Sequence, residues 1–127
     1  MRYLAIAISP TAIGLVLLCA PALAQDTDAG QIAFNNACRT CHTVREGDNR
    51  LGPSLHGVIG RKAGSLSNYN YSESMKKADI VWDKGTLDRF IANPDAVVPG
   101  HNMKPYGGIA STEERAKIIE YLEKAGH

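Results

Sequence analysis

Aromatic side chains are scarce in this 127-residue chain: one tryptophan, two phenylalanines and five tyrosines, 6% of the total. A domain of this size buries only a modest core in any case, so little bulk is on offer to fill one. An excess of either charge is missing too. Fourteen Lys and Arg stand against thirteen Asp and Glu, a formal net charge of +1, so no nucleic-acid partner is expected. Strand-like alternation, internal repeats and low-complexity tracts are all absent. Cysteines number only three, which leaves no second pair to complete a structural zinc site. What is present is ordinary for one folded domain: 44% hydrophobic and 21% charged residues, which excludes global disorder.

The first two dozen residues stand apart. No charge falls between Arg2 and Asp26, and Leu4 to Ala24 is almost wholly apolar, ending in Ala22-Leu23-Ala24. A basic start, an apolar middle and an Ala-x-Ala exit predict a secretory signal peptide over residues 1–24, with the mature domain at 25–127. The same stretch is just long enough to anchor in a membrane, but no basic cluster follows it to stop transfer. Cys19 lies inside this segment behind Leu18 rather than a small residue, which argues against lipid attachment. The mature chain loses only Arg2 among its charges and becomes neutral.

Export favours disulfides, so Cys38 and Cys41 would pair by default. The next residue overturns this. Cys38-Arg39-Thr40-Cys41-His42 is C-x-x-C-H, the attachment motif of c-type haem. Two cysteines three apart project from one helical turn toward the two vinyl groups on one porphyrin edge. The adjacent histidine then offers an imidazole nitrogen to the iron. A thioredoxin-type dithiol would need a βαβ context that this chain lacks. A covalent haem c also answers the shortage of core, because a flat apolar macrocycle can serve as its centre.

Helical signals surround the motif. Asp28 can cap a helix running to about Cys41, with Gly30 and Phe34 on one face. Ser72 starts a short helix through Lys77. Gly85-Thr86 precedes a stripe of Leu87, Phe90 and Ile91 that Asn93-Pro94 stops. Ser111 and Glu114 read as a capping box ahead of Ile118, Ile119, Leu122 and Ala125, with Gly126 at the end. Residues 47–64 and 95–108 read as Gly- and Pro-rich loops. The pattern is a small all-α domain.

A second iron ligand has few candidates: Met75, Met103, His56, His101 and His127. Met103 is favoured, since it lies far from His42 in a loop stiffened by Pro99-Gly100 and Pro105. Met75 falls within a helix, where methionine fills apolar gaps. His101 is the rival.

These residues, with Gly52-Pro53-Ser54-Leu55-His56-Gly57, Gly60-Arg61-Lys62, Tyr69-Asn70-Tyr71-Ser72, Trp82, Asn93-Pro94, Pro99-Gly100, Glu114-Arg115 and Tyr121-Leu122, form an ordered set from Gly30 to Leu122. The set resembles class I cytochrome c, close to the mitochondrial and bacterial cytochrome c2 branch. The resemblance implies a cytochrome c fold, with short helices wrapped around one haem and Gly30 and Phe34 packing near Tyr121. It implies His42 and Met103 as metal ligands, with the Pro53 carbonyl accepting the hydrogen bond of His42. It also implies that Trp82 and Tyr71 hold a buried propionate, that Arg61 offsets its charge, and that Tyr69 and Ser72 stand nearby. Leu55, Leu87 and Ile91 would form an apolar wall.

The chain departs from the pattern in places. Met75 replaces an asparagine, His101 a threonine, and Asp95-Ala96 a pair of docking lysines, while Met103-Lys104-Pro105-Tyr106 displaces the usual aromatic by one. With two protein ligands on iron no position is open to a substrate, so no enzymatic activity is expected. A peroxidase-like enzyme would need Met103 absent or easily displaced, and a gas-binding four-helix bundle would carry its haem motif near the C-terminus. The expected function is a soluble, monomeric, single-haem carrier that passes one electron between respiratory or photosynthetic membrane complexes, its iron cycling between Fe(II) and Fe(III). A cytochrome bc1-type donor, an oxidase or other acceptor, and a periplasmic location complete the expectation. Arg39, Arg45 and Lys104, with Lys76 or Lys77, suggest a basic front, and Glu113, Glu114, Glu120 and Glu123 an acidic back.

Overall fold

Each helix starts where a short polar side chain satisfies its first backbone N–H groups. In the computed structural model, which describes residues 28–126, Asp28 accepts from Gly30 at 2.9 Å and opens α1, Ala29–Ala37. The signal segment predicted over 1–24 lies outside the described residues. α1 stops at Ala37 rather than near Cys41 because Cys38 and Arg39 both donate to the Phe34 carbonyl, at 2.8 and 3.1 Å. That pair of hydrogen bonds to one carbonyl closes a helix end, and the chain tightens into a turn through the motif.

Ser72 caps α2, Glu73–Lys77, as expected. α3, Lys84–Ala92, begins earlier than Gly85-Thr86 suggested. Asp83 and Thr86 cap each other reciprocally, at 2.7 and 2.8 Å, a box built from Asp and Thr rather than Ser and Glu. Asn93 ends α3 and also caps α4, Pro94–Val97. In the sequence Asn93-Pro94 reads as a stop only, but proline at a first helical position loses no hydrogen bond. α5, Thr112–Lys124, starts from Ser111, whose hydroxyl accepts from Glu114 at 3.2 Å; only this half of the expected box forms. Among the described residues the sole β feature is an isolated bridge between Lys62 and Val81.

The first and last helices cross at close range. Phe34 and Tyr121 meet at a tilt with centroids 5.3 Å apart, and Gly30 is the crossing point, where a side chain would run into the Lys117 carbonyl and Tyr121. Arg115, only 8% exposed, fastens α5 to the rest. It bonds Asp88 of α3 at 2.7 Å and the carbonyls of Ile109 and Ala110 at 2.9 Å. Phe34, Leu87, Phe90, Ile91, Val98, Ile118 and Leu122 join one buried cluster. That cluster backs the site.

Candidate functional site

Past α1, one tight turn carries the whole motif. Cys41 and His42 both return their N–H groups to the Cys38 carbonyl, at 3.1 and 3.0 Å, so the three side chains stem from a single loop of backbone. Cys38 and Cys41 are free thiols of intermediate burial, and exposed Arg39 and Thr40 lie between them. Burial, with help from Glu114 and Cys41, pushes the Cys38 thiol up to about 11.

His42 is buried and firmly oriented. Its Nδ1 lies 2.8 Å from the Pro53 carbonyl. A carbonyl only accepts, so Nδ1 carries the hydrogen and Nε2 keeps its lone pair. Burial, opposed by the Pro53 bond and reinforced by Arg61, lowers its pKa, which favours the neutral ring that a metal requires. Gly52 braces this arrangement. Its N–H donates to Cys41 at 2.7 Å, and its α-carbon sits so near the imidazole that a methyl group there would overlap the ring.

Met103 arrives from the segment between α4 and α5. It is half-buried and packs on the same cluster as Cys38, Leu55 and Met75. The segment enters through Gly100, whose φ of 85° and contact with Ser74 of α2 suit only glycine. It leaves through Tyr106, whose hydroxyl donates to the Ile91 carbonyl, and Ile109, whose N–H donates to the same oxygen at 3.0 Å. Tyr106 lies near Cys38; burial, then the Cys38 thiol, pushes its phenol up to about 12. The far end of the Met103 segment thus returns to the cysteine turn.

The other candidates divide. Met75 sits in α2 and packs against the core. His56 has its Nδ1 on the Val44 carbonyl at 3.2 Å, and His127 lies outside the described residues. His101 has a fully buried side chain; its Nδ1 accepts from the Met103 N–H at 2.9 Å, while Nε2 stands 3.1 Å from Asp95.

Arg61 neighbours both Trp82 and Tyr71. Trp82 is buried against Phe90, centroids 5.0 Å apart, and its backbone N–H donates to the Arg61 carbonyl at 2.9 Å. Arg61 donates to Ser54 at 2.8 Å and His56 at 3.2 Å. Burial lowers the Arg61 pKa and raises that of Tyr71, each opposed by the other group. Tyr69 donates instead to the Leu51 carbonyl at 2.7 Å and meets Tyr71 edge-on.

The donor set fits haem c. Two thiols share one turn, one imidazole presents a free lone pair, one thioether stands on a braced segment, and Cys38, Leu55 and Met103 all pack on the buried cluster that holds Leu87 and Ile91. The charge contrast expected from the sequence is smaller than a bare count suggests. Lys104 is paired with Asp95, while Glu113, Glu120 and Glu123 are paired with Lys117, Lys124 and Lys84.

From the sequence, Gly52 and Asp95 carry no role at the site, and Tyr106 stands only as the displaced aromatic. A glycine directly before Pro53 was the available signal for the first. The other two contacts join positions that only the folded chain brings together.

Comparison with known proteins agrees with this geometry. A family model described as Cytochrome c matches residues 27–126. Cytochrome c2 of Rhodopila globiformis is 44% identical over 98 residues, covering 77% of this chain and 92% of that protein. Cytochrome c2 of Rhodoplanes tepidamans is 40% identical over 103 residues, covering 80% and 94%. Among solved structures, cytochrome cH from Methylobacterium extorquens superposes with a TM-score of 0.69 at 37% identity, covering 76% of this chain and 95% of that one.

Proposed function

The chain belongs to the cytochrome c family, whose members carry electrons on a covalent haem c, and from that premise we propose that His42 and Met103 are the iron ligands of a haem held by Cys38 and Cys41. Haem, when bound, supplies a one-electron Fe(II)/Fe(III) couple. The protein's own groups make that couple usable. The Pro53 carbonyl, 2.8 Å from His42 Nδ1, fixes the tautomer and leaves the Nε2 lone pair free for a metal. This is the observation that carries the reading. Met103 contributes a thioether, which favours the reduced state, and its segment is braced at Gly100 and Tyr106. Leu87, Ile91 and their neighbours exclude water. Trp82, Tyr71 and Arg61 offer donors and positive charge for a buried carboxylate, which is costly without them.

With both ligand positions supplied by protein, the chain acts as a carrier and not as an enzyme. It passes one electron from a bc1-type membrane complex to an oxidase or another acceptor, docking as a monomer through the edge formed by Cys38, Arg39, Thr40 and Cys41. Residues 1–24 direct export and are removed, which places the carrier in a bacterial periplasm. The Ala22-Leu23-Ala24 exit and the likeness to bacterial cytochromes c2 support this.

The test is the exported protein purified with its haem. A mass equal to residues 25–127 plus one haem, a reversible one-electron titration and negligible carbon monoxide binding in the reduced state are expected. Tight carbon monoxide binding would mean an open iron and would overturn the carrier reading in favour of an enzyme or gas sensor.

A further inference from the structure

Asp95, on α4, reaches both sides of Met103. Its Oδ1 and Oδ2 take Lys104 Nζ at 2.8 and 3.0 Å, one residue after the methionine. Its Oδ1 also lies 3.1 Å from His101 Nε2, two residues before it. That second contact is close but off the N–H axis, so the nitrogen completes no aligned hydrogen bond; it is an electrostatic contact between a carboxylate and a ring N–H.

The tautomer of His101 follows from its other nitrogen. The Met103 N–H donates to Nδ1 at 2.9 Å. A backbone N–H cannot accept, so Nδ1 is bare and the ring hydrogen sits on Nε2, facing Asp95. The ring is fully buried and edge-on to Phe90 at 5.8 Å, and its backbone N–H donates to Val98 at 3.1 Å. It cannot swing away. A carboxylate beside Nε2 favours the hydrogen there and keeps Nδ1 free to receive the amide.

We propose that Asp95 is a positioning residue for Met103, acting through His101 on one side and Lys104 on the other to hold the backbone that presents the thioether. This rests on Met103 being the ligand. Removing the carboxylate frees both flanks, and the methionine segment opens more often while the helices remain folded.

The experiment uses the haem-loaded protein and the variants Asp95→Asn, Asp95→Glu, His101→Leu and Lys104→Met. Two quantities are read: the urea concentration that abolishes the red charge-transfer band of sulfur bonded to iron(III), compared with the one that unfolds the helices, and the hydrogen-exchange rate of the Met103 amide. In Asp95→Asn the band should disappear at lower urea with helix unfolding little changed, and the amide should exchange roughly three to ten times faster, the scale of one weakened hydrogen bond. Asp95→Glu should restore both. His101→Leu should reproduce the faster exchange, and Lys104→Met should give a smaller effect. Unchanged band and exchange in Asp95→Asn would overturn the proposal. A wild-type protein lacking the band would overturn the ligand assignment, and with it the claim that Asp95 positions a ligand, while the Met103 amide rates would still report whether the Asp95–His101 contact guards that bond.

Discussion

The α-carbon of Gly52 lies directly against the imidazole of His42, with no room between them for a methyl group. Both residues are buried, and Gly52 is also tied to Cys41 by a 2.7 Å hydrogen bond. Gly52→Ala must therefore push the ring, and the ring is held by Pro53. Overpacking of this kind costs about 1–3 kcal/mol. The expected outcome is a lower thermal midpoint and a shifted reduction potential in the haem-loaded protein, because ring and backbone no longer fit together. A potential identical to wild type would show that the ring tolerates the added carbon and that Gly52 does not set its place.

The methionines separate in the same protein. Met103→Ala should abolish the sulfur–iron(III) charge-transfer band and let carbon monoxide bind the reduced form. Met75→Leu should do neither, since Met75 packs from α2 against the core and Leu for Met nearly conserves volume, costing less than about 1.5 kcal/mol. Survival of the band in Met103→Ala would move the assignment to the other thioether, Met75.

The parts of this site legible in the sequence are those whose chemistry is local. Cys38, Cys41 and His42 share five consecutive residues, and Asp28, Ser72 and Ser111 cap the helices that directly follow them. Loop stiffness around Met103 was visible in Pro99-Gly100. The Asp95 contacts and the Tyr106 tether to Ile91 were not visible, because they join positions distant in sequence whose side chains meet only after α3 and α4 are placed. The start of α3 was misread for another reason: an Asp-to-Thr box is a weaker pattern than Ser-to-Glu, though physically equivalent. Resemblance supplied roles for Arg61, Tyr71 and Trp82, and the structure supplies the nearness of Arg61 to each of the other two.

Two glycines give opposite expectations for one substitution. Alanine is favoured over glycine within a helix by about 1 kcal/mol. At Gly30 the new carbon would lie 2.5 Å from the Lys117 carbonyl, which is backbone and cannot swing aside. There the clash wins, and Gly30→Ala should lose about 1–2 kcal/mol. At Gly85 the nearest atoms are 3.4 and 3.7 Å away on flexible side chains, so Gly85→Ala should gain about 0.4–1 kcal/mol. Urea unfolding of both variants checks this. A stabilised Gly30→Ala would mean that α1 and α5 can separate without loss.

Acid should weaken the start of α3 through Asp83. Its carboxylate accepts the Thr86 N–H at 2.7 Å, and this bond, followed by the Thr86 hydroxyl, holds its pKa below the ordinary 3.8. A carboxylate whose pKa is lower in the folded state stabilises the fold in its ionised form. The unfolded chain takes up the proton first as pH falls, so the contribution is complete above the unfolded value and is lost as pH drops through the folded one. Asp83→Asn keeps a capping oxygen but has no charge to lose. The wild type should therefore unfold at higher urea than Asp83→Asn by a constant margin between about pH 7 and pH 5, and that margin should shrink below about pH 4. Both proteins share every other titrating group, including those around the haem, so subtraction isolates Asp83. A margin at about pH 3 equal to that at neutrality would show that the charge contributes nothing and that the cap acts through its oxygen alone.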